Sequence, residues 1–456
     1  MSEFKLSTQS DNIFIINFSE LEKRIDPNPY HIERLAEIER LQKLNCKKLK
    51  SLVMPSKSQT STIGENDIYI GLENIKSNTG EYIKTEDKES ISSANVFKSG
   101  QILFPKLRPY LNKVFLADFD GICSTEFHVF NAKNINPEFL AIYLRTSFVV
   151  NQTKHLMTGN TLPRLQTDDI NNIPVPIIDD VLQQKIVNLY NQNFQKKQQK
   201  ETQAKELLAS IDDYLLNELG ITLPEKDNSL ENRIFTTSIN QISSGRFDPD
   251  YNLIYYTNFI DQLSNKYITK NLKEISNEIF QGVGKNQVDF SDYILLKVKN
   301  IKRGNIIDYA DIEFVFSVPQ NKILQDNDII SPFIGEAIRQ IKFSIFTKRD
   351  NKYTVDNNTG VIRINISEAI PNYICEVLNS IIGEIQLNKL IGGGGVPFLG
   401  TQSVKDIFIP IPLFEKQTEI ANHITDLRRQ AKQLELDADQ IMQETKAEIE
   451  TIILGE

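Results

Sequence analysis

Apolar and small residues recur every third or fourth position through two long stretches of the chain. In 413–454 the stripe passes through Phe414, Ile420, Ile424, Leu427, Ala431, Leu434, Ala438, Ile441, Ile449 and Ile453, with polar residues between them. In 181–219 it passes through Leu182, Ile186 and Leu189, then Ala204, Leu207, Ile211, Leu215 and Leu219. Its middle, QNFQKKQQKETQ (192–203), is polar except for Phe194, and Gly220 supplies a stop. This spacing predicts two amphipathic helices, each of roughly 40 residues and about 58 Å. Rods of that length cannot bury a stripe alone, so packing on each other as an antiparallel coiled coil is expected. Separate surface helices, each lying on its own globular part, are the alternative.

The regions before each rod have mixed periods. DIYIGL (67–72), QILFPKL (101–107), YILLKV (293–298) and GVIRINI (360–366) are short and rich in β-branched residues, which predicts strands. The stretches 137–156 and 371–390 have helical periodicity, each opening at a proline. Each globular part is therefore expected to be α+β, a mixed α/β arrangement. LPEKDNSLENR (223–233) is expected to be a linker.

The chain repeats itself. LMTGNTLPRLQTDDINNIPVPIIDDVLQQKIVN (156–188) aligns without gaps onto LIGGGGVPFLGTQSVKDIFIPIPLFEKQTEIAN (390–422), with 11 identities in 33 positions at an offset of 234. Among the pairs are Gly159/Gly393, Pro163/Pro397, Pro176/Pro410, Gln183/Gln417 and Ile186/Ile420. Upstream, in the same order, RIDPNPY (24–30) matches RFDPDY (246–251), ENIK (73–76) matches KNIK (299–302), and GQILFPK (100–106) matches NDIISPF (327–333). Two copies of one unit of roughly 200 residues are expected. The boundaries follow: a first domain over 1–180, a rod over 181–220, a linker over 221–233, a second domain over 234–412 and a second rod over 413–456.

The repeat also decides the meaning of IGGGGVPFLG (391–400). A phosphate-binding loop needs Lys and Ser or Thr after its glycines, and here Val396 and Pro397 follow Gly395. The other copy reads TGNTLP, so the shared property is a tight turn rather than a cradle. QGVGKNQ (281–287) likewise lacks the hydroxyl residue. The 456 residues carry a net charge of −9, which argues against a non-specific nucleic-acid binder yet leaves room for local basic faces. Cys46, Cys123 and Cys375 are odd in number and scattered, against a disulfide framework or zinc cluster and in keeping with a reducing cytoplasm. His31, His128, His155 and His423 show no ligand spacing, so packed or solvated histidines are expected. The N-terminal MSEFKLSTQSDN has no secretory pattern, and no apolar run approaches a membrane span.

With domain, rod, domain and rod in this order, and with the doubled R-φ-D-P…Y entrances and P-x-L-x-T…I-P-φ-P…Q…I exits, the chain resembles the specificity subunits of type I restriction–modification systems. The second copy has EKQ (415–417) where the first has LQQ (182–184). The resemblance implies two target recognition domains separated by two long antiparallel coiled-coil helices. Each domain would read one half of an asymmetric, bipartite double-stranded DNA target. The rods would set the spacing and seat methyltransferase subunits, two of them by expectation. Restriction and translocation subunits would complete the assembly. No catalytic residue, metal or cofactor is expected in this chain. It has no Asn/Asp-Pro-Pro-Tyr/Phe motif for amino methylation, no methyl-donor glycine fingerprint and no helicase motif. A stand-alone DNA-binding regulator and an interaction scaffold without DNA reading are the alternatives.

Candidate DNA contacts come from local basic stretches. VFKSGQILFPKLRPYLNKV (96–114) offers Lys98, Lys106, Arg108 and Lys113 and no acid, and the ENIK echo offers Lys76. In the second copy FIGEAIRQIKFSIFTKR (333–349) offers Arg339, Lys342, Lys348 and Arg349, and NIKRGN offers Lys302 and Arg303. Arg108 and Arg339 stand out, because a guanidinium can fork onto guanine O6 and N7. Lys154 and Arg164, bordering the first exit loop, are secondary candidates.

Overall fold

A computed structural model describes residues 24–225, 229, 234, 236, 251 and 253–456, apart from 63, 65–66, 86–92, 160, 285 and 393–394. The chain divides into two units, Met1–Lys200 with Leu436–Glu456, and Glu201–Glu435. The second entrance motif, RFDPDY, lies outside the described residues except for Tyr251, as does most of the expected linker.

The first unit opens with α1 (Ile32–Gln42), whose N-cap His31 accepts from the Glu33 amide, and β1 (Cys46–Lys48). Two four-stranded sheets follow. The larger orders β2 (Val53–Pro55), β9 (Phe127–Ala132), β6 (Ile102–Pro105) and β7 (Phe115–Leu116). The smaller orders β3 (Gln59–Thr60), β5 (Ala94–Phe97), β8 (Gly121–Cys123) and β4 (Tyr69–Ile70), with β4 and β8 parallel. Helices α2 (Pro137–Leu144), α3 (Ser147–Lys154) and α4 (Thr167–Asn171) lead to β10 (Pro174–Pro176), which pairs antiparallel with β1. Ile102, Phe104, Phe130, Phe139 and Phe148 fill the core beneath the larger sheet; a second cluster around Phe97 and Phe115 lies under the smaller one.

The second unit repeats this plan. Its α6 (Ile254–Leu263), β11 (Thr269–Asn271) and α7 (Leu272–Ile275) precede a sheet ordered β12 (Ser276–Gln281), β21 (Thr359–Ile364), β18 (Ile329–Pro332) and β19 (Ser344–Ile345). The smaller sheet orders β13 (Gln287–Val288), β17 (Glu313–Val315), β14 (Tyr293–Leu296) and β20 (Lys352–Val355), next to a hairpin of β15 (Ile301–Lys302) and β16 (Ile306–Ile307). Then come α8 (Pro371–Asn379), α9 (Ile381–Leu390), α10 (Thr401–Lys405) and β22 (Phe408–Pro410), which pairs with β11. The small sheets differ in one respect. The antiparallel pair is added to β8 in the first unit, but to β14, on the opposite edge of the parallel pair, in the second.

The recurring residues recur for structural reasons. Gln183 accepts from the Asn136 amide at 2.9 Å and donates to the Ile178 carbonyl at 3.0 Å; Gln417 does the same with Ile370 at 2.9 Å and Pro412 at 2.8 Å. Both amides are buried, so each saturates one N–H and one C=O where a helix meets the strand that precedes it. Asn74 and Asn300 of the N-I-K echoes are buried too, each accepting from the backbone amide three residues earlier at 2.8 Å to close a 3-10 turn. In the first entrance, Arg24 pairs with Asp26 and donates to the Leu156 carbonyl at 2.6 Å, clasping the entrance to the exit loop.

The two rods are α5 (Asp180–Leu219) and α11 (Phe414–Leu454). Within the first unit, Asn193 donates to Thr445 at 2.9 Å and Lys200 pairs with Asp437 at 2.8 Å. Within the second, Tyr214 lies against His423 with ring centroids 4.1 Å apart, and Lys416 pairs with Glu218 at 2.6 Å. One number rises as its partner falls, so the helices run antiparallel wherever they touch. The seam keeps the 234 offset: Ala204/Ala438, Leu215/Ile449 and Leu219/Ile453 are all buried.

Two expectations need correction. The helical stretches 137–156 and 371–390 are each broken into two helices, at Arg145–Thr146 and at Ser380. Thr146 Oγ1 donates to the Tyr143 carbonyl at 2.6 Å, and Ser380 Oγ to the Val377 carbonyl at 2.7 Å. A hydroxyl that takes a helical carbonyl competes with the backbone, and Ser380 then caps α9 by accepting from the Ile382 amide.

Candidate nucleic-acid interface

In the first unit the C-terminal end of β6 runs into the exit loop. Leu107 bridges to Arg164, and the loop closes on itself through the Thr158–Arg164 bridge. The Leu165 amide donates to the Lys106 carbonyl and the Arg108 amide to the Pro163 carbonyl, at 2.9 and 3.0 Å. Gly159, at φ 97°, makes the turn possible. The second unit builds the same feature with Ile334 on Phe398 and Gly392 on Phe398, and with the Gly335 amide on the Pro397 carbonyl at 2.8 Å. The glycine-rich stretch is therefore a closing turn, as the repeat argument expects; Gly393 and Gly394 themselves lie outside the described residues.

These bonds fix which residues are equivalent. Arg108 corresponds to Gly335, and Arg164 to Phe398. Arg108 takes the left-handed conformation at φ 49°, where its equivalent is a glycine at φ 95°. An arginine there costs about 1–2 kcal/mol of backbone strain. Its side chain is exposed, forms no ion pair among the described residues, and has the exposed Tyr110 two residues on. Arg164 is clamped by Glu126, with guanidinium-to-carboxylate distances of 2.7–3.1 Å, and that hydrogen bond holds the Glu126 carboxyl below its usual range. Lys106, Arg108, Tyr110 and Arg164 thus share one end of the sheet.

The other first-unit candidates do not join them. Lys98 sits at the opposite end of β6, in an exposed pair with Asp120 at 2.9 Å. Lys113 is directed inward and donates to the Leu72 carbonyl at 2.8 Å. Lys76 lies 3.8 Å from Glu81 and faces a cavity next to α5 and α11. Lys154 pairs with Glu33 at 2.5 Å. In the second unit Arg339 stands in a five-residue 3-10 turn, two residues longer than its first-unit equivalent, and is held by Glu336 at 3.2 Å. Lys342 is half-buried, and burial pushes its ammonium pKa down, with Lys302 adding to the effect. Lys302 pairs with Asp308 at 3.5 Å, Arg303 lines a cavity beside the rods, and Arg349 stacks on Tyr309 at 3.7 Å. Lys348 is exposed.

Sequence spacing missed one cluster. His31 and His155 stack with centroids 4.0 Å apart, and His155 Nε2 lies 2.8 Å from a Glu33 oxygen. The three could ligate a cation, but the Lys154 ammonium already sits on that same oxygen. Hydrogen bonds from Lys154 and His155 hold the Glu33 carboxyl down at about 2. With the histidines 124 positions apart, no linear pattern could have announced the pair.

The basic end of a β sheet beside a closed exit loop, carried on a unit that also supplies a long helix, is a geometry suited to contacting a polyanion. Residues 45–210 match the family model described as the type I restriction modification DNA specificity domain. Over this segment the chain is similar to that DNA specificity family. It is 32% identical over 149 residues to the type I restriction enzyme EcoDI specificity subunit of Escherichia coli. That match covers 32% of this chain and 33% of the relative, so it spans about a third of the relative's length. A solved chain, from work on the structural basis of complex assembly and conformational transition of the type I R-M system, superposes with a TM-score of 0.53. It shares 17% identity and covers 90% of this chain and 96% of its own, a likeness of fold.

Proposed function

We propose that this chain is the DNA specificity subunit of a type I restriction–modification complex. Each unit reads one half of a bipartite duplex target through the sheet end beside its exit loop. The observation that carries this reading is the doubled loop-and-sheet feature, built from the same backbone bonds but given different side chains. Arg108 and the Arg164–Glu126 pair in one copy become Gly335 and Phe398 in the other. Different side chains on one frame read different bases, so the half-sites are unlike. Lys106 positions on phosphate, whereas Arg108 is free to fork onto a guanine. In the second unit Arg339 takes the equivalent task from its longer turn.

The chain itself performs no chemistry; methyl transfer, ATP use and cleavage belong to methyltransferase and translocase subunits seated on the rods. The reader domains are 1–180 and 234–412, and the protein works in the cytoplasm on chromosomal or invading DNA. No described helix is long and apolar enough to cross a membrane.

The test is affinity purification of the chain with its genomic neighbours, followed by selection of bound duplexes from a random library. A bipartite asymmetric consensus, bound tightly only with a methyltransferase subunit present, supports the reading. Enrichment of a single uninterrupted site by the chain alone would favour a stand-alone regulator, and no enrichment would favour a scaffold.

A further inference from the structure

The first unit contains a cavity of about 410 Å³ between the loop 76–79, the α2–α3 junction and that unit's shares of α5 and α11. Four cations line it: Lys76, Arg145, Lys197 and Lys446. Among the described residues only one carboxylate, Asp439, does so, and Glu81 stands just behind, bonded to Lys197 and 3.8 Å from Lys76. Arg145 is 8% exposed, stacks on Tyr190 at 5.0 Å and donates one Nη to the Val114 carbonyl at 3.3 Å. Its Nε is buried and has no hydrogen-bond partner among the described residues. A buried guanidinium N–H left unmade is costly, and such a group is rarely orphaned unless something supplies the acceptor. Burial also pushes the Lys446 ammonium pKa down, the mark of a cation short of water. The two carboxylates behind it are already engaged, Glu450 by the Ser147 amide and Glu37 by Arg40 and Asn151.

The second unit provides an internal control. It has the same cavity, of about 490 Å³, against the equivalent faces of the rods. At the 234 offset, Arg145 becomes Asn379, Lys197 becomes Ala431 and Lys446 becomes Asp212. That cavity has Arg303, Arg428 and Lys432 balanced by Asp212, Glu435 and the Glu376 that binds Arg428 at 2.6 Å. The fold makes both cavities; among the described residues only the first has cations in excess.

We propose that the first-unit cavity is a binding site for a small phosphate-bearing ligand, separate from the DNA-reading surface. The anion sits against the Arg145 guanidinium and Lys446, and Tyr190, Met442 and Ile449 offer an apolar wall for the rest of the molecule. Charge-assisted bonds to an oxyanion supply the acceptor that Arg145 lacks.

Isothermal titration of the full chain without DNA, at constant ionic strength, tests this with pyrophosphate and with AMP as probes. One saturable site is expected. Its affinity should fall at least tenfold in Arg145→Gln and in Lys446→Met, and stay within twofold of the parent in Lys432→Gln, which alters the second cavity. Thermal melts check folding; if Arg145→Gln is unfolded, the partly exposed Lys446→Met decides alone. Absence of saturable binding, or equal loss in Lys432→Gln, overturns the proposal. So does displacement of pyrophosphate by a duplex lacking any target, because the cavity would then hold a DNA phosphate. Target selection by Lys446→Met should match the parent, so failure here and failure of the specificity-subunit reading are separately visible.

Discussion

Replacing Arg108 with glycine separates DNA reading from folding. The residue sits at φ 49°, and the second unit places Gly335 at the equivalent position. Glycine relieves about 1–2 kcal/mol of left-handed strain. It also frees the unfolded chain, which takes back about 0.4–1 kcal/mol. The folded protein should therefore gain between roughly 0 and 1.5 kcal/mol, where a typical substitution loses about 1. DNA binding should move the other way. Losing a bidentate arginine–guanine pair costs about 1–3 kcal/mol of discrimination, or roughly 5- to 150-fold. Urea denaturation gives the first number, and competition binding against targets with single-base changes gives the second. The expected result is a variant at least as stable as the parent that has lost preference at one position of one half-site. A loss of stability beyond about 2 kcal/mol would show that Arg108 packs rather than reads. A uniform fall in affinity over all sequences would reduce it to a phosphate contact.

Gln417→Ala should destabilise the second unit by about 2–4 kcal/mol, because it strands the Ile370 amide and the Pro412 carbonyl in a buried site, and Gln183→Ala should do likewise in the first; urea midpoints measure both. Lys197→Ala should cost about 1–3 kcal/mol by taking from Glu81 its nearest cation and leaving it Lys76 at 3.8 Å, whereas Lys197→Ala with Glu81→Ile, which copies the Ala431 and Ile307 of the other unit, should restore most of it; a thermal melt in which the double variant is the worse of the two would refute this. Acid should weaken the first unit in two steps. Burial lowers the His155 pKa below its unfolded value near 6.5, so that contribution is complete above about 6.5 and fades as pH falls through it. Glu33, held at about 2 by Lys154 and His155, contributes fully above about 4.3 and loses that contribution as pH falls toward 2. His155→Gln should flatten the urea midpoint between pH 7 and 5 and shrink the lower step without abolishing it, because Lys154 still holds Glu33, and an unchanged upper step would exclude His155 as its source.

The duplication could be seen in the sequence because both copies must solve the same local problems. A buried glutamine that saturates an N–H and a C=O, or a proline that opens a helix, cannot drift without loss. The rods were legible for a similar reason: a long apolar stripe has one economical use. The broken helices at Thr146 and Ser380 were not, because a hydroxyl's choice between solvent and the carbonyl three residues back leaves the periodicity unchanged.

The basic residues mark the boundary between the two kinds of knowledge. The sequence nominated Lys98, Lys106, Arg108 and Lys113 from one acid-free stretch, and Lys76 from the N-I-K repeat. Tertiary contacts disperse them, because Lys113 finds the Leu72 carbonyl, Lys98 finds Asp120 and Lys76 turns to a cavity. Periodicity and repetition are properties of the chain, so the sequence by itself determined two α+β units, each with a rod. Which way a flexible charged side chain points depends on neighbours tens to hundreds of residues away. For that reason only the folded structure could bring His31 to His155, set Arg108 against a glycine equivalent, and leave Arg145 facing a cavity with a hydrogen bond still to make.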